Sequence, residues 1–65
     1  MTDFLIADHG SIVSILPVSE AAREWLDDNV AAEPWQWCGD ALCVDRRYAR
    51  DILAVLTDAG FDLSP

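Results

Sequence analysis

The 65 residues carry twelve Asp and Glu against four Arg and no Lys, a formal net charge of −8, on a chain that is 52% hydrophobic. That hydrophobic share is too high for a disordered acidic tail, so the charge rides on a folded body. Its one-sided field argues against nucleic acid and anionic membrane as direct partners and favours basic protein surfaces. One domain spanning residues 1–65 is expected, with about 60% of the unfolded chain's surface buried and a thin margin of stability.

Phe4-Leu5-Ile6-Ala7 and Ser11-Ile12-Val13-Ser14-Ile15-Leu16 are β-prone runs separated by Asp8-His9-Gly10, where glycine supplies a positive φ, and they predict a hairpin. Pro17 ends the second strand, and Ser19 is placed to cap a helix over about Glu20–Asn29. At 100° per residue Ala22, Trp25, Leu26 and Asn29 fall on one side of that helix, and Glu20, Glu24, Asp27 and Asp28 on the other.

Ala31 to Gly39 leads into Ala41-Leu42-Cys43-Val44, a short apolar run read as a buried strand with which Trp35 to Cys38 can pair. Asp45 is placed to cap a second helix with Tyr48, Ile52, Val55, Leu56 and Ala59 as its inward stripe. Gly60 follows as a left-handed C-terminal cap, and Phe61-Asp62-Leu63 is a candidate closing strand. The order β-β-α-β-α(-β) predicts a small α+β domain, a mainly antiparallel sheet of three to four strands with two helices on one face.

Cys38 and Cys43, with one histidine elsewhere, match no metal-ligand spacing, so neither a metal nor a cofactor is expected. Two reduced, packed thiols are the first expectation, and a cross-strand disulfide the alternative if Gly39-Asp40 is a tight turn. The N-terminus lacks the features of a secretion signal, and no apolar stretch approaches a membrane span, so the expected location is the cytoplasm.

Glu20, Glu24, Asp27 and Asp28 span about 12 Å of helix axis, roughly one negative charge per ~4 Å, against one per ~3.4 Å along a DNA strand. Like-charge neighbours at this spacing cost about 0.2–0.5 kcal/mol a pair, and Asp27 and Asp28 sit at the unfavourable end of the helix dipole, with Arg23 placed to reach Asp27 or Glu20. The row is either an ordinary solvated face or a partner-binding surface. Arg46, Arg47 and Arg50 form the only basic cluster. Pairing of Arg47 with Asp51, and of the others with carboxylates on neighbouring elements, is expected over phosphate binding.

Trp25 belongs to the core face. Trp35 and Trp37, alternating around Gln36, point to one side of any strand there, as core caps or as an aromatic anchor. Asp8-His9-Gly10-Ser11 holds the residue types of a hydrolytic triad, but consecutive residues in a turn cannot place a base between nucleophile and acid. No glycine-rich phosphate loop occurs either, so no catalysis is expected.

Small size, acidic excess, a compact α+β pattern and the absence of catalytic signatures together resemble the anti-CRISPR proteins of phages and mobile elements. The segments Asp8-His9-Gly10-Ser11-Ile12, Trp35-Gln36-Trp37 and Asp45-Arg46-Arg47-Tyr48 look like those of small proteins from bacterial mobile elements. The likeness is one of type and carries no functional residues across. It implies an inhibitor acting in a host bacterial cell, occupying the DNA-binding surface of a CRISPR surveillance complex with carboxylates where target phosphates would lie.

The leading expectation is therefore a non-catalytic DNA mimic, monomeric or weakly dimeric, that binds a basic protein surface through Glu20, Glu24, Asp27, Asp28, Trp35 and Trp37. The alternative is a structural or assembly module, such as a subunit or antitoxin-like partner, that associates through its aromatic surface.

Overall fold

The computed structural model describes all residues, Met1–Pro65. The chain forms β1 (Phe4–Asp8), β2 (Ile12–Pro17), α1 (Glu20–Asn29), a 3-10 turn (Pro34–Gln36), β3 (Trp37–Cys38), β4 (Ala41–Asp45), α2 (Arg46–Asp58) and β5 (Leu63–Ser64). The α+β architecture is as expected, but the sheet has five strands rather than three or four, in the order β3-β4-β2-β1-β5. The closing strand forms, shifted to Leu63–Ser64 and parallel to β1, and the remaining pairings are antiparallel.

Local chemistry sets each boundary. In the β1–β2 hairpin Gly10 takes φ 89° and donates its N–H to Asp8 Oδ1 at 2.8 Å, while His9 N–H bonds the Ile12 carbonyl at 2.8 Å. Ser19 caps α1 by accepting from Ala22 N–H at 3.1 Å, and its own hydroxyl donates to Asp3 Oδ1 at 2.9 Å. Asp45 ends β4 and caps α2 in one residue, accepting from Tyr48 N–H at 2.8 Å. At the far end of α2, Gly60 N–H bonds the Thr57 carbonyl and Phe61 N–H the Leu56 carbonyl, the paired bonds of a Schellman stop.

Helix placement follows from handedness. The β2–α1–β3 crossover passes β4 in one direction, and β4–α2–β5 passes β2 and β1 in the other, starting from a strand antiparallel to β2. Right-handed crossovers running opposite ways from antiparallel strands place their helices on the same face. The core lies there: Phe4, Val13, Ile15, Leu42 and Val44 from the sheet meet Ala22 and Leu26 of α1 and Ala49, Ile52 and Leu56 of α2. Phe61 packs edge-on against Phe4, with ring centres 5.3 Å apart, and against Trp25 at 6.2 Å.

Three local expectations need correction. The inward stripe of α2 is Ala49, Ile52 and Leu56 with Leu53 partly buried, whereas Tyr48, Val55 and Ala59 are exposed. Small Ala49 lets the helix sit close to the sheet, and the stripe turns by less than one 100° step. Asn29 is also exposed, its side-chain amide donating to the Trp25 carbonyl at 2.9 Å. Finally, Trp35 is not in a strand. Pro34 starts a 3-10 turn, closed by a Glu33–Gln36 capping box, and only Trp37–Cys38 pair with β4.

Candidate functional site

The inward contacts of Ala22 and Leu26 fix the rotation of α1, so the opposite side of the helix faces solvent. Glu20, Glu24, Asp27 and Asp28 all lie there, fully on the surface. None of the four accepts a hydrogen bond or joins an ion pair: the two ion pairs of the protein are Arg46–Asp8 and the N-terminal ammonium with Asp62. Arg23 does not reach Asp27 or Glu20 within ion-pair distance, so the expected internal relief is absent. The row is therefore a line of charge with no ion-paired cation, though Arg23 lies beside Asp27 around one depression, and it ends at the carbonyl end of the helix where the dipole adds to its negative potential.

The two candidate tryptophans part company. Trp35 projects from the 3-10 turn at 78% exposure, whereas Trp37, opposite Leu42 in the β3–β4 ladder, turns inward and packs against the core. An aromatic pair on one side of a strand does not form, because the 3-10 turn breaks the two-residue alternation. Trp37 instead meets Arg23, Asp27 and Asp40 around a shallow depression beside α1. Asp40 is a functional candidate that helix periodicity could not find, since it sits in the β3–β4 turn and joins the acidic row only through the fold.

In the basic cluster Arg46 answers a carboxylate on another element as expected, whereas Arg47 and Arg50 do not pair. Arg46 reaches across to the β1–β2 turn, with Nη2 2.6 Å from Asp8 Oδ1 and Nε 3.0 Å from the Gly10 carbonyl. Arg47 does not pair with Asp51, and neither Arg47 nor Arg50 forms an ion pair. The Gly10 N–H and Arg46 together hold the Asp8 carboxyl below its ordinary 3.8. Asp3 is lowered likewise by the Asp62 N–H and the Ser19 hydroxyl.

Asp8 is committed to these partners, and His9 Nε2 lies 3.3 Å from Ser14 Oγ, so Asp8, His9 and Ser11 do not assemble as a triad. No cluster of three or more His, Cys, Asp or Glu side chains forms a metal site. Cys38 and Cys43 are both free thiols, with Cys38 exposed rather than packed. They share one side of the β3–β4 hairpin, and the Cys38 thiol beside it raises Cys43 above its ordinary 9.0. Gly39, at φ 64°, makes the two-residue turn between those strands.

A second concavity, about 260 Å³, opens between the helices, where Trp25 and Val30 face Tyr48 and Val55 across Ile52. It accounts for Tyr48 and Val55, two of the three exposed side chains that periodicity assigned to the core: they line a helix–helix boundary that stays open. No helix is long and apolar enough to cross a membrane. No protein-family model matches the chain, and neither a curated protein nor a solved structure is significantly similar to it.

Proposed function

We propose that this protein is a non-catalytic inhibitor that docks the acidic face of α1 on the basic, nucleic-acid-binding surface of another protein. It acts there as a DNA mimic in the cytoplasm of a bacterial host, in the manner of an anti-CRISPR protein. The observation that carries this reading is the row Glu20, Glu24, Asp27 and Asp28, held outward on a helix whose opposite side is locked into the core, with no cation of its own chain paired to it. A folded body that leaves four carboxylates unpaired at near-phosphate spacing offers a lysine- or arginine-rich groove a preorganised set of acceptors. Asp40 widens the charged surface sideways from the helix, beside Arg23 and Asp27. Trp35, largely exposed on the 3-10 turn that follows α1 in the chain, supplies the kind of aromatic anchor that dominates protein interfaces.

That same exposed Trp35 favours the alternative, a structural or assembly module that associates through aromatic contacts while its charge serves solubility. Ionic strength separates the two readings. Protein retained from a bacterial lysate at low salt is expected to be enriched in nucleic-acid-binding factors and to elute by about 0.5 M salt, where the Debye length falls to a few Å. A retained set indifferent to salt would replace electrostatic capture with the aromatic reading.

A further inference from the structure

The sheet has a second face, which neither helix covers. Strand alternation places Leu5 and Ala7 of β1, Ile12, Ser14 and Leu16 of β2, Ala41 and Cys43 of β4 and Cys38 of β3 on that side, away from the core. Leu5 and Ile12 are each 41% exposed. Ser64 of β5, opposite Leu5, shares this side, and the one charged residue on it is Asp45, opposite Ile12 at the end of β4. Asp45 closes the end of β4 but turns its carboxylate to the Tyr48 amide, and His9 is held at the rim by Ser14. An uncovered sheet face is ordinarily polar, and on a chain of net charge −8 a face whose one charged residue, Asp45, lies at its edge is the exception.

We propose that this face is a self-association surface on which two copies stack sheet against sheet. Charge placement identifies the occupant. A basic partner would have to strip water from its cations against a surface whose middle offers them no carboxylate, which is unfavourable. A second copy brings the same largely apolar face, with its Asp45 at the edge. Sheets stack about 10 Å apart, so the acidic helices of both copies remain on opposite outer sides, separated by well over the ~8 Å Debye length, and their mutual repulsion is screened. The contact is isologous, with Leu5, Ile12 and Leu16 meeting their counterparts about a twofold axis.

Size sets the strength. Three strands of five or six residues and two of two residues, about 4.8 Å apart, give roughly 300 Å² per copy, well under half the ~800 Å² of a standard stable interface. The dimer is accordingly weak and reversible.

Sedimentation equilibrium in reducing buffer, from about 1 µM to about 1 mM protein, reads this directly, since weak association populates that range. The weight-average mass is expected to climb from 7.2 kDa toward twice that value and to climb at least as readily in high salt. Leu5→Thr with Ile12→Thr, both β-compatible and at exposed positions, is expected to abolish the rise while the far-ultraviolet circular dichroism stays unchanged. Dilution of the wild-type chain, followed by amide NMR, is expected to shift Ala7, Ser14, Leu16 and Cys43. A mass fixed at 7.2 kDa throughout, association that salt dissolves or the double substitution leaves intact, or shifts centred on Trp35 or Tyr48 would each overturn the proposal. None of these outcomes bears on capture by the acidic row, which salt weakens and these substitutions leave in place.

Discussion

Asp3 and Asp8 do more for this fold than their surface positions suggest. Asp3 joins the start of α1 to both ends of the chain, taking the Ser19 hydroxyl and the Asp62 N–H at 2.9 Å each. Asp8 ties the hairpin turn to the first residue of α2 through Arg46. Both carboxyls are lowered in the fold, so each contributes stability that is present above the unfolded value near 3.8 and is lost as pH falls through the folded value. The urea midpoint is therefore expected to be flat from neutral pH to about 5 and to fall below about 4, and Asp8→Asn is expected to lower the neutral plateau and shrink the fall. Parallel acid limbs for the two proteins would show that Asp8 titrates as it does in the unfolded chain. The Ser19 and Asp45 caps were legible in the sequence because a cap is a local matter of three residues. That Arg46 would answer a carboxylate on another element was legible, but that it is Asp8 was not: the two are 38 positions apart and meet where β4 runs into α2 beside the hairpin turn, with the Arg46 amide on the Ser11 carbonyl.

Both helices could be read to their ends, since caps and periodicity agree over ten and thirteen residues. Which side of α2 faces inward could not. Tyr48, Ile52, Val55, Leu56 and Ala59 and the stripe centred on Ala49, Ile52 and Leu56 differ by under one step of rotation, and the deciding contacts belong to the sheet. Leu56→Ala is expected to cost about 2–5 kcal/mol in chemical denaturation, against at most about 0.5 kcal/mol for Val55→Ala. Equal losses would restore Val55 to the core. β3 was hidden for a different reason. Two residues cannot show alternation, and Pro34 sets the preceding turn so that Trp35 leaves the chain outward while Trp37 enters. The acidic row of α1 was read correctly as one face, but its extension to Asp40 depends on the β3–β4 turn coming to rest beside Asp27.

The molecule has two unlike surfaces. Its helical side carries an unpaired row of carboxylates, and its open sheet face is apolar with one carboxylate, Asp45, at its edge. Joined through the open sheet faces, two copies would present acidic rows on opposite outer sides, so that one dimer engages two basic sites. The row is not arranged for stability, because like charges crowd one helix and two of them oppose its dipole. Removing those charges is therefore expected to strengthen the fold slightly while removing the function, a divergence that a merely solvated face would not show. The decisive measurement takes the variant Glu20→Gln, Glu24→Gln, Asp27→Asn, Asp28→Asn and reads its urea midpoint beside the amount of nucleic-acid-binding protein it retains from bacterial lysate at low salt. A midpoint equal to or above the parent's with retention lost is the expected result; retention equal to the parent's, with the row neutral and the fold intact, would contradict a role for these carboxylates in binding.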